Sequence, residues 1–260
     1  MTEDNGAVTY SIDGPIATIT LSRPEKKNAL TQHMFARLAE VVGEVKNSRD
    51  LRVLIIRGEK GSVFCAGDDL AELVAMDPVQ ARDFLISAQR TFMDLEALPI
   101  PVVAAVEGYA LGGGLELALS CDLILASSGA VMGLPETNLG LIPGLGGTIR
   151  LPRRVGLGKA KELVYSGRTV QADEARSIGL VEAVYPAEEF EDGIMGFAQL
   201  LASKSPSALA LAKSTINRGM DASLEAGLAL EREAFAYCFA LPDAKEGISA
   251  FLEKRKPNFK

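Results

Sequence analysis

Short apolar runs alternate along the first two thirds of the chain with longer segments whose apolar residues recur every three to four positions. The short runs are rich in β-branched residues and are bounded by glycine, proline or polar residues, which is typical of strands. The runs at 52–58 and 101–108 are interpreted as fully buried strands. Together the short runs predict strands at residues 16–21, 52–58, 101–108, 122–127, 130–134 and 180–186.

The longer segments predict helices. In the segment 29–48 the apolar residues fall on one helical face, and Thr31 is placed to cap the N-terminus of this helix. Strands that alternate with helices predict an α/β fold with a largely parallel sheet. The other helices are predicted at 69–96, 113–121, 157–166 and 171–178, and from residue 206 onward with breaks near Gly219 and Pro242.

The last third of the chain supplies helices without strands, and no linker-like composition sets it apart. Its 260 residues, 48% of them hydrophobic, suit one large domain with a sizeable core. We therefore expect a core at 1–200 that contains the functional site, and a helical region at 201–260 that belongs to the same functional unit.

Charge and cysteine content narrow the function. The net charge is −7 without an evident basic cluster, so nucleic acid is not expected as a partner, whereas a small anionic ligand needs only local donors. The three cysteines are far apart and indicate a reducing compartment. The chain shows neither a signal-peptide pattern nor a membrane-length apolar run, so we expect a cytoplasmic protein without a membrane partner.

Common cofactor and nucleophile motifs are incomplete. The stretch 144–149 has Ile149 where a dinucleotide motif needs glycine, and 156–161 departs from a phosphate-binding loop. The single histidine, His33, falls on the polar side of a predicted helix and is interpreted as a surface residue. No G-x-S-x-G motif occurs, and the few His and Cys residues predict no metal site.

Glycine turns and two acids remain as candidate chemistry. The segments 64–73 and 111–119 each pass through a glycine turn into a predicted helix, whose first N–H groups lack intrahelical partners. Two such ends brought together would form an oxyanion hole. Glu116 lies in an apolar helix and Glu136 in an apolar loop, and paired carboxyl groups beside such a hole suit proton transfer next to a carbonyl.

Taken singly, these features more often have structural explanations. Three consecutive glycines commonly allow tight packing of a helix on a sheet. A glutamate within an apolar helix is more often surface-facing or salt-bridged. Only their joint occurrence indicates a carbonyl-activating enzyme.

Several long segments resemble the crotonase superfamily and, within it, the enoyl-CoA hydratases. They are "NAL" (28–30), "FCAGDDLAEL" (64–73), "EGYALGGGLELALSCDLILA", "MGLPETNLGLIPGLGGTIRLPRRVG" and the closing "FLEKRKPNF". The order agrees from about residue 8 to 258, and the central motifs also resemble the methylglutaconyl-CoA hydratase branch. The resemblance implies a spiral of ββα units with a C-terminal helical trimerisation region, assembled as trimers or hexamers. It also implies a coenzyme A thioester as substrate, no separate cofactor, and a setting in fatty acid β-oxidation.

The resemblance assigns roles to individual positions. It implies that the backbone N–H groups of Asp68 and Gly113 form the oxyanion hole, that Glu116 activates the water that adds to Cβ, and that Glu136 supplies the proton to Cα. Both acids together favour hydration over isomerisation, which would rely mainly on Glu136. A non-catalytic, RNA-contacting scaffold of the same fold is the other alternative. Asp68 stands where alanine is common, and we expect its side chain to turn outward, toward solvent or a cation.

The resemblance also implies a binding path for the substrate. Ala66 and Leu70 lie where the coenzyme A arm passes, and the backbone of Gly144 lines the site. Local cations for the phosphates are expected before "NAL" and in the tail, the tail being equally well explained as a frayed basic terminus. These cations are Lys26, Lys27, Lys254, Arg255, Lys256 and Lys260.

Overall fold

A computed structural model describes residues 6–259 and contains nine strands and eleven α-helices in that range, besides three short 3₁₀ helices. The strands are β1 (Ala7–Asp13), β2 (Ile16–Ser22), β3 (Val53–Gly58), β4 (Val102–Val106), β5 (Tyr109–Leu111), β6 (Leu123–Ser127), β7 (Val131–Gly133), β8 (Thr169–Gln171) and β9 (Ala183–Tyr185). The helices are α1 (Gln32–Asn47), α2 (Leu70–Leu73), α3 (Pro78–Glu96), α4 (Gly113–Leu119), α5 (Gly147–Val155), α6 (Leu157–Ser166), α7 (Ala172–Ser177), α8 (Phe190–Ala202), α9 (Pro206–Met220), α10 (Leu224–Cys238) and α11 (Pro242–Leu252).

The main sheet has the strand order β1-β2-β3-β4-β6-β9. The pair β1 and β2 is antiparallel, and every later neighbour is parallel, as the alternation of strands and helices predicted. Strands β3 and β4 are apolar on both faces because both faces are covered. Ile56 packs into the large core with α1 and α3, whereas Ile55 faces α8 on the opposite side. A second, three-stranded sheet has the order β5-β7-β8.

Helix α1 forms where its apolar spacing predicted. The Thr31 side chain accepts a hydrogen bond from the Met34 N–H and caps the helix, and His33 lies exposed on its outer face. The continuous helix predicted at 69–96 is wrong. Helix α2 has a single turn, and a new helix begins after Asp77, whose side chain caps α3. An aspartate followed by proline is a strong start signal, because proline suits the first helical position.

Helices α9, α10 and α11 follow the core and correspond to the predicted helical region, with breaks close to Gly219 and Pro242. Helix α9 is anchored to the core by Lys213, whose ammonium binds Asp122 at 2.7 Å and the carbonyl of Ile100 at 3.0 Å. The boundary predicted at residue 200 falls inside α8, and the division into two regions stays a prediction. None of the described helices combines the length and hydrophobicity of a membrane span.

Candidate active site

The segment that follows β3 is fastened beside β5. The Cys65 N–H donates to the carbonyl of Tyr109 at 2.8 Å, and the Leu111 N–H donates to the carbonyl of Cys65 at 3.0 Å. A Cβ added to Gly67 would lie 3.7 Å from the nitrogen of Gly113. Gly67 has a φ of +114°, which residues with a Cβ rarely adopt. The structure therefore brings the two glycine turns together.

Two backbone donors are left free where the turns meet. On the outer side of the segment, the Leu30 N–H donates to the Gly67 carbonyl and the Asp69 N–H to the Leu30 carbonyl, both at 2.8 Å. Since N–H groups alternate in such pairing, the N–H of Asp68 points away from Leu30. Gly113 is the first residue of α4, so its N–H has no intrahelical partner. Neither N–H donates to another described residue.

Each glycine of the run at 112–114 meets a different constraint. Gly112 has a φ of +50° and caps α4, and a Cβ there would lie 3.3 Å from Oε1 of Glu136. A Cβ on Gly113 would overlap the carboxyl group of Asp68. A Cβ on Gly114 would overlap the carbonyl oxygen of Cys65. The run therefore allows tight packing and lies against the carboxyl groups of Asp68 and Glu136.

The expectation that the Asp68 side chain turns outward is wrong. Its Oδ1 is buried against Gly113 and accepts no hydrogen bond from the described residues. The nearby cation, Arg23, instead binds the side chain of Asp69, at 2.6 Å. Neighbouring side chains of an extended segment point to opposite sides, so pairing Asp69 outward turns Asp68 inward. Burial raises the pKa of Asp68 to about 7, and the charge of Glu136 adds to this rise.

Glu116 is held in a defined orientation. Its side chain is buried, and Oε1 accepts hydrogen bonds from the N–H groups of Leu145 at 2.8 Å and Gly147 at 2.7 Å. Oε2 accepts none from the described residues. Burial raises the pKa of Glu116, the two N–H donors oppose this rise, and the charges of Glu136 and Asp68 add to it.

Glu136 is the least constrained of the three acids. It begins a one-turn 3₁₀ helix after Pro135, and both of its carboxyl oxygens are buried without a hydrogen-bond partner among the described residues. Burial raises its pKa. Three carboxyl groups that share one pocket cannot all be ionised at low cost, so protons are retained here near neutral pH.

Three further predicted residues lie on segments beside the two acids: Ala66 and Leu70 after β3, and Gly144 before α5. Ala66 precedes Gly67, and its N–H donates to the carbonyl of Lys27 at 2.9 Å. Leu70 opens α2 and is exposed. Gly144 lies in the loop that holds Glu116, one residue before Leu145.

The predicted cations differ in their surroundings. Lys26 and Lys27 are exposed beside Ala66, and the Lys27 ammonium lies 5.0 Å from the centre of the Tyr109 ring. In the tail, Arg255 is already paired with Glu246 and Glu253 rather than free for a phosphate. Lys254 and Lys256 are exposed, and Lys260 lies outside the described residues.

Sequence reasoning missed the group that orients Glu116. The glycine-rich stretch 144–149 fails as a dinucleotide motif, but it leads into α5, and the N–H groups of Leu145, just before the helix, and of Gly147, its first residue, bind the carboxyl group of Glu116. Helix N-termini are general anion sites. That rule, applied to a carboxylate instead of a phosphate, could have found the contact.

Free N–H donors beside carboxyl groups of raised pKa form the kind of pocket that acid–base enzymes use to polarise a carbonyl. A sequence model of the family described as Enoyl-CoA hydratase/isomerase matches residues 11–260. The chain belongs to this family, which confirms the predicted resemblance.

Relatives agree along almost the whole chain. It is 42% identical to the short-chain-enoyl-CoA hydratase of Clostridium acetobutylicum over 94% of both chains. It is 40% identical to the mitochondrial methylglutaconyl-CoA hydratase of Mus musculus, covering 94% of this chain and 79% of the relative. Among solved structures, the enoyl-CoA hydratase from Bacillus anthracis superposes with a TM-score of 0.93 at 40% identity, covering 98% of this chain and 99% of that one. The predicted crotonase-type fold is confirmed.

Proposed function

We propose that this protein is an enoyl-CoA hydratase that adds water reversibly across the Cα=Cβ bond of a 2-enoyl-CoA thioester. The observation that carries the proposal is the placement of Glu116 and Glu136 beside the glycine turn, next to the free N–H groups of Asp68 and Gly113. Family membership supports the coenzyme A thioester as substrate.

The two N–H groups are proposed to bind the thioester oxygen. Negative charge moves onto this oxygen as water adds to Cβ and the acyl group becomes enolate-like. Donors already aimed at that position need no reorganisation during the reaction. Each donor of this kind typically contributes ~10²–10³ in rate.

The two glutamates divide the proton transfers. Glu116 accepts a proton from water at Oε2, the oxygen that has no hydrogen-bond donor among the described residues, and the oxygen of that water bonds to Cβ. Glu136 gives its proton to Cα. The two N–H donors on Oε1 fix the orientation of Glu116 and leave Oε2 for the water, whereas both carboxyl oxygens of Glu136 are buried without a partner among the described residues. The division of roles between the two acids is the one that the family resemblance implies. Proton return from Glu116 to Glu136 restores the enzyme.

Hydration is better supported than isomerisation or a scaffold role. An isomerase moves one proton and needs only one shuttle, but here Glu116 is also buried and oriented. An RNA-contacting scaffold has no use for a fully buried glutamate coupled to two further acids, and the net charge of −7 opposes RNA binding.

A short, uncharged acyl chain is the proposed preference. A branched dicarboxylic acyl group would need its own cation in the pocket. The arginines beside the site are already engaged, Arg23 with Asp69 and Arg150 with Glu96. The similarity to a short-chain hydratase supports the same choice.

Assembly as a trimer or hexamer is proposed from the surface of the C-terminal helices. Large apolar side chains of this region are exposed, which is typical of an interface between subunits. They include Ile216, Met220, Leu224, Phe235, Phe239, Phe251 and Leu252.

The cytoplasm is the proposed location. The buried, free Cys65 and Cys121 support it.

A substrate panel tests the proposal. Enoyl thioester absorbance in the ultraviolet should fall with crotonyl-CoA, more slowly with long-chain 2-enoyl-CoA, and hardly with methylglutaconyl-CoA. Turnover of a 3-enoyl-CoA alone would support the isomerase. No turnover of any thioester, combined with salt-sensitive RNA binding, would support the scaffold.

A further inference from the structure

The loop that holds Glu116 is itself held from outside. The carbonyl of Gly144 accepts a hydrogen bond from the Gln89 side chain at 2.7 Å, and the carbonyl of Leu145 accepts one from Arg150 Nη1 at 2.8 Å. Leu145 is also one of the two residues whose N–H groups bind Glu116. The same short stretch of backbone therefore contacts the catalytic acid on one side and a guanidinium group on the other.

Arg150 is fixed by a two-point ion pair. Its Nε and Nη2 bind Oε1 and Oε2 of Glu96 at 2.7 and 2.8 Å. The Arg150 side chain is 14% exposed. Glu96 is the last residue of α3 and Arg150 lies in the first half of α5, so the pair joins two helices. A planar guanidinium that uses both edges in this way has a fixed position, which a lysine ammonium cannot reproduce.

The guanidinium lies directly on the loop backbone. Gly146 has a φ of +109°, and a Cβ at this position would overlap Nη1 of Arg150. Gly147, the next residue, donates the second hydrogen bond to Glu116. Movement of Arg150 would therefore release the turn between the two donors.

We propose that Arg150, held by Glu96, is a positioning residue that keeps the N–H groups of Leu145 and Gly147 on Glu116. This inference rests on the proposed hydratase function. Arg150 does not touch the Glu116 side chain, so its effect passes through the backbone. Removing the Arg150 side chain would leave the Glu116 carboxyl group present but less firmly oriented. Misplacement of a catalytic group by about 1 Å can cost ~10² in rate.

Kinetics of variants test the proposal with crotonyl-CoA as the probe. Arg150→Met should lower kcat by ~10–10² with little change in KM, since orientation and not substrate binding is lost. Arg150→Lys should restore part of kcat. Glu96→Gln, a milder change, should lower kcat in the same direction by less. The matched control is Arg153→Met on the same helix. It breaks only an exposed ion pair with Asp221, so kcat should be unchanged.

Two readouts separate positioning from a merely structural role. The Arg150→Met variant should move the pH limb of kcat that reports Glu116 ionisation to higher pH, because the donors that favour the charged form are loosened. In a Glu116→Gln background, adding Arg150→Met should cost little further rate.

Normal kcat in a folded Arg150→Met variant, or an undiminished loss in the Glu116→Gln background, would overturn the proposal. Should Arg150→Met fail to fold, Glu96→Gln and Arg150→Lys carry the same comparison. Absence of hydration in the unmodified protein would instead defeat the proposed function.

Discussion

The carboxyl group of Asp68 packs directly against Gly113, so an acid and the glycine that begins α4 share one wall of the pocket. The backbone N–H groups of the same two residues are the free donors. Space for a substrate oxygen between them therefore depends on the absence of a side chain at residue 113.

Gly113→Ala should lower kcat/KM by ~10²–10³, the usual effect of losing one oxyanion donor. The added Cβ overlaps the Asp68 carboxyl and displaces either that group or the Gly113 N–H. Hydration of crotonyl-CoA measures the loss. Since the overlap is with a side chain, adding Asp68→Ala should recover part of the activity, and no recovery would contradict this origin.

Gly43→Ala is the matched control. Gly43 lies within α1, and a Cβ there meets no atom within 4 Å. Activity should be unchanged, and the free energy of unfolding should rise by about 0.5–1 kcal/mol because alanine favours the helix.

Asp68→Asn should change the pH dependence of activity. The pKa of Asp68 is raised to about 7 by burial and by Glu136, so the group ionises as pH rises through neutrality. Its charge would then oppose negative charge on the thioester oxygen. We expect wild-type kcat/KM to fall above about pH 7 and the Asn variant to hold its activity to higher pH. Superimposable pH profiles would show that Asp68 does not titrate in the functional range.

Asp68→Asn should also change how the free energy of unfolding depends on pH. A carboxyl group whose pKa is higher in the folded than in the unfolded chain binds its proton more tightly when folded. Its contribution to the free energy of unfolding is therefore fully present below the ordinary pKa of 3.8 and is lost as the pH rises through about 7. Urea unfolding should show that Asp68→Asn gains stability relative to wild type between pH 5 and pH 8. A constant difference across this range would be the contrary result.

Lys213→Met should destabilise the attachment of α9. It removes the cation that binds Asp122 at 2.7 Å and leaves a largely buried carboxylate, which costs about 3–5 kcal/mol when the pair is broken. Asp122 also accepts a hydrogen bond from the Val102 N–H, so the damage reaches the main sheet. Denaturant unfolding measures the loss. Lys159→Met, which breaks only an exposed pair with Glu162, should cost less than about 1 kcal/mol.

Elements with strong local signals could be predicted from the sequence. Thr31 and the apolar stripe that follows it define α1, and the apolar run of β3 marks a central strand. Weaker elements were missed. Strand β1 lies at the sheet edge and is mostly exposed, so it lacks an apolar run. Helix α8 contains Gly193, which lowers helix propensity, and it is stabilised by packing Phe190 and Ile194 on the sheet.

The candidate site divides in the same way. The glycine turns and the pair Glu116 and Glu136 could be found from spacing and resemblance. The inward direction of Asp68 could not, because it depends on where Arg23 lies in the fold. The contact between Arg150 and Glu96 joins residues 54 positions apart, and no local pattern encodes it.

The most direct test compares crotonyl-CoA hydration by the wild type with that of Glu116→Gln and Glu136→Gln, under saturating substrate. Gln keeps the shape of the side chain but can neither accept nor deliver the proton. Each variant should therefore lose ~10²–10⁴ in kcat and still bind crotonyl-CoA. Near-normal hydration by Glu116→Gln would contradict the water-activating role and, with it, the two-glutamate mechanism.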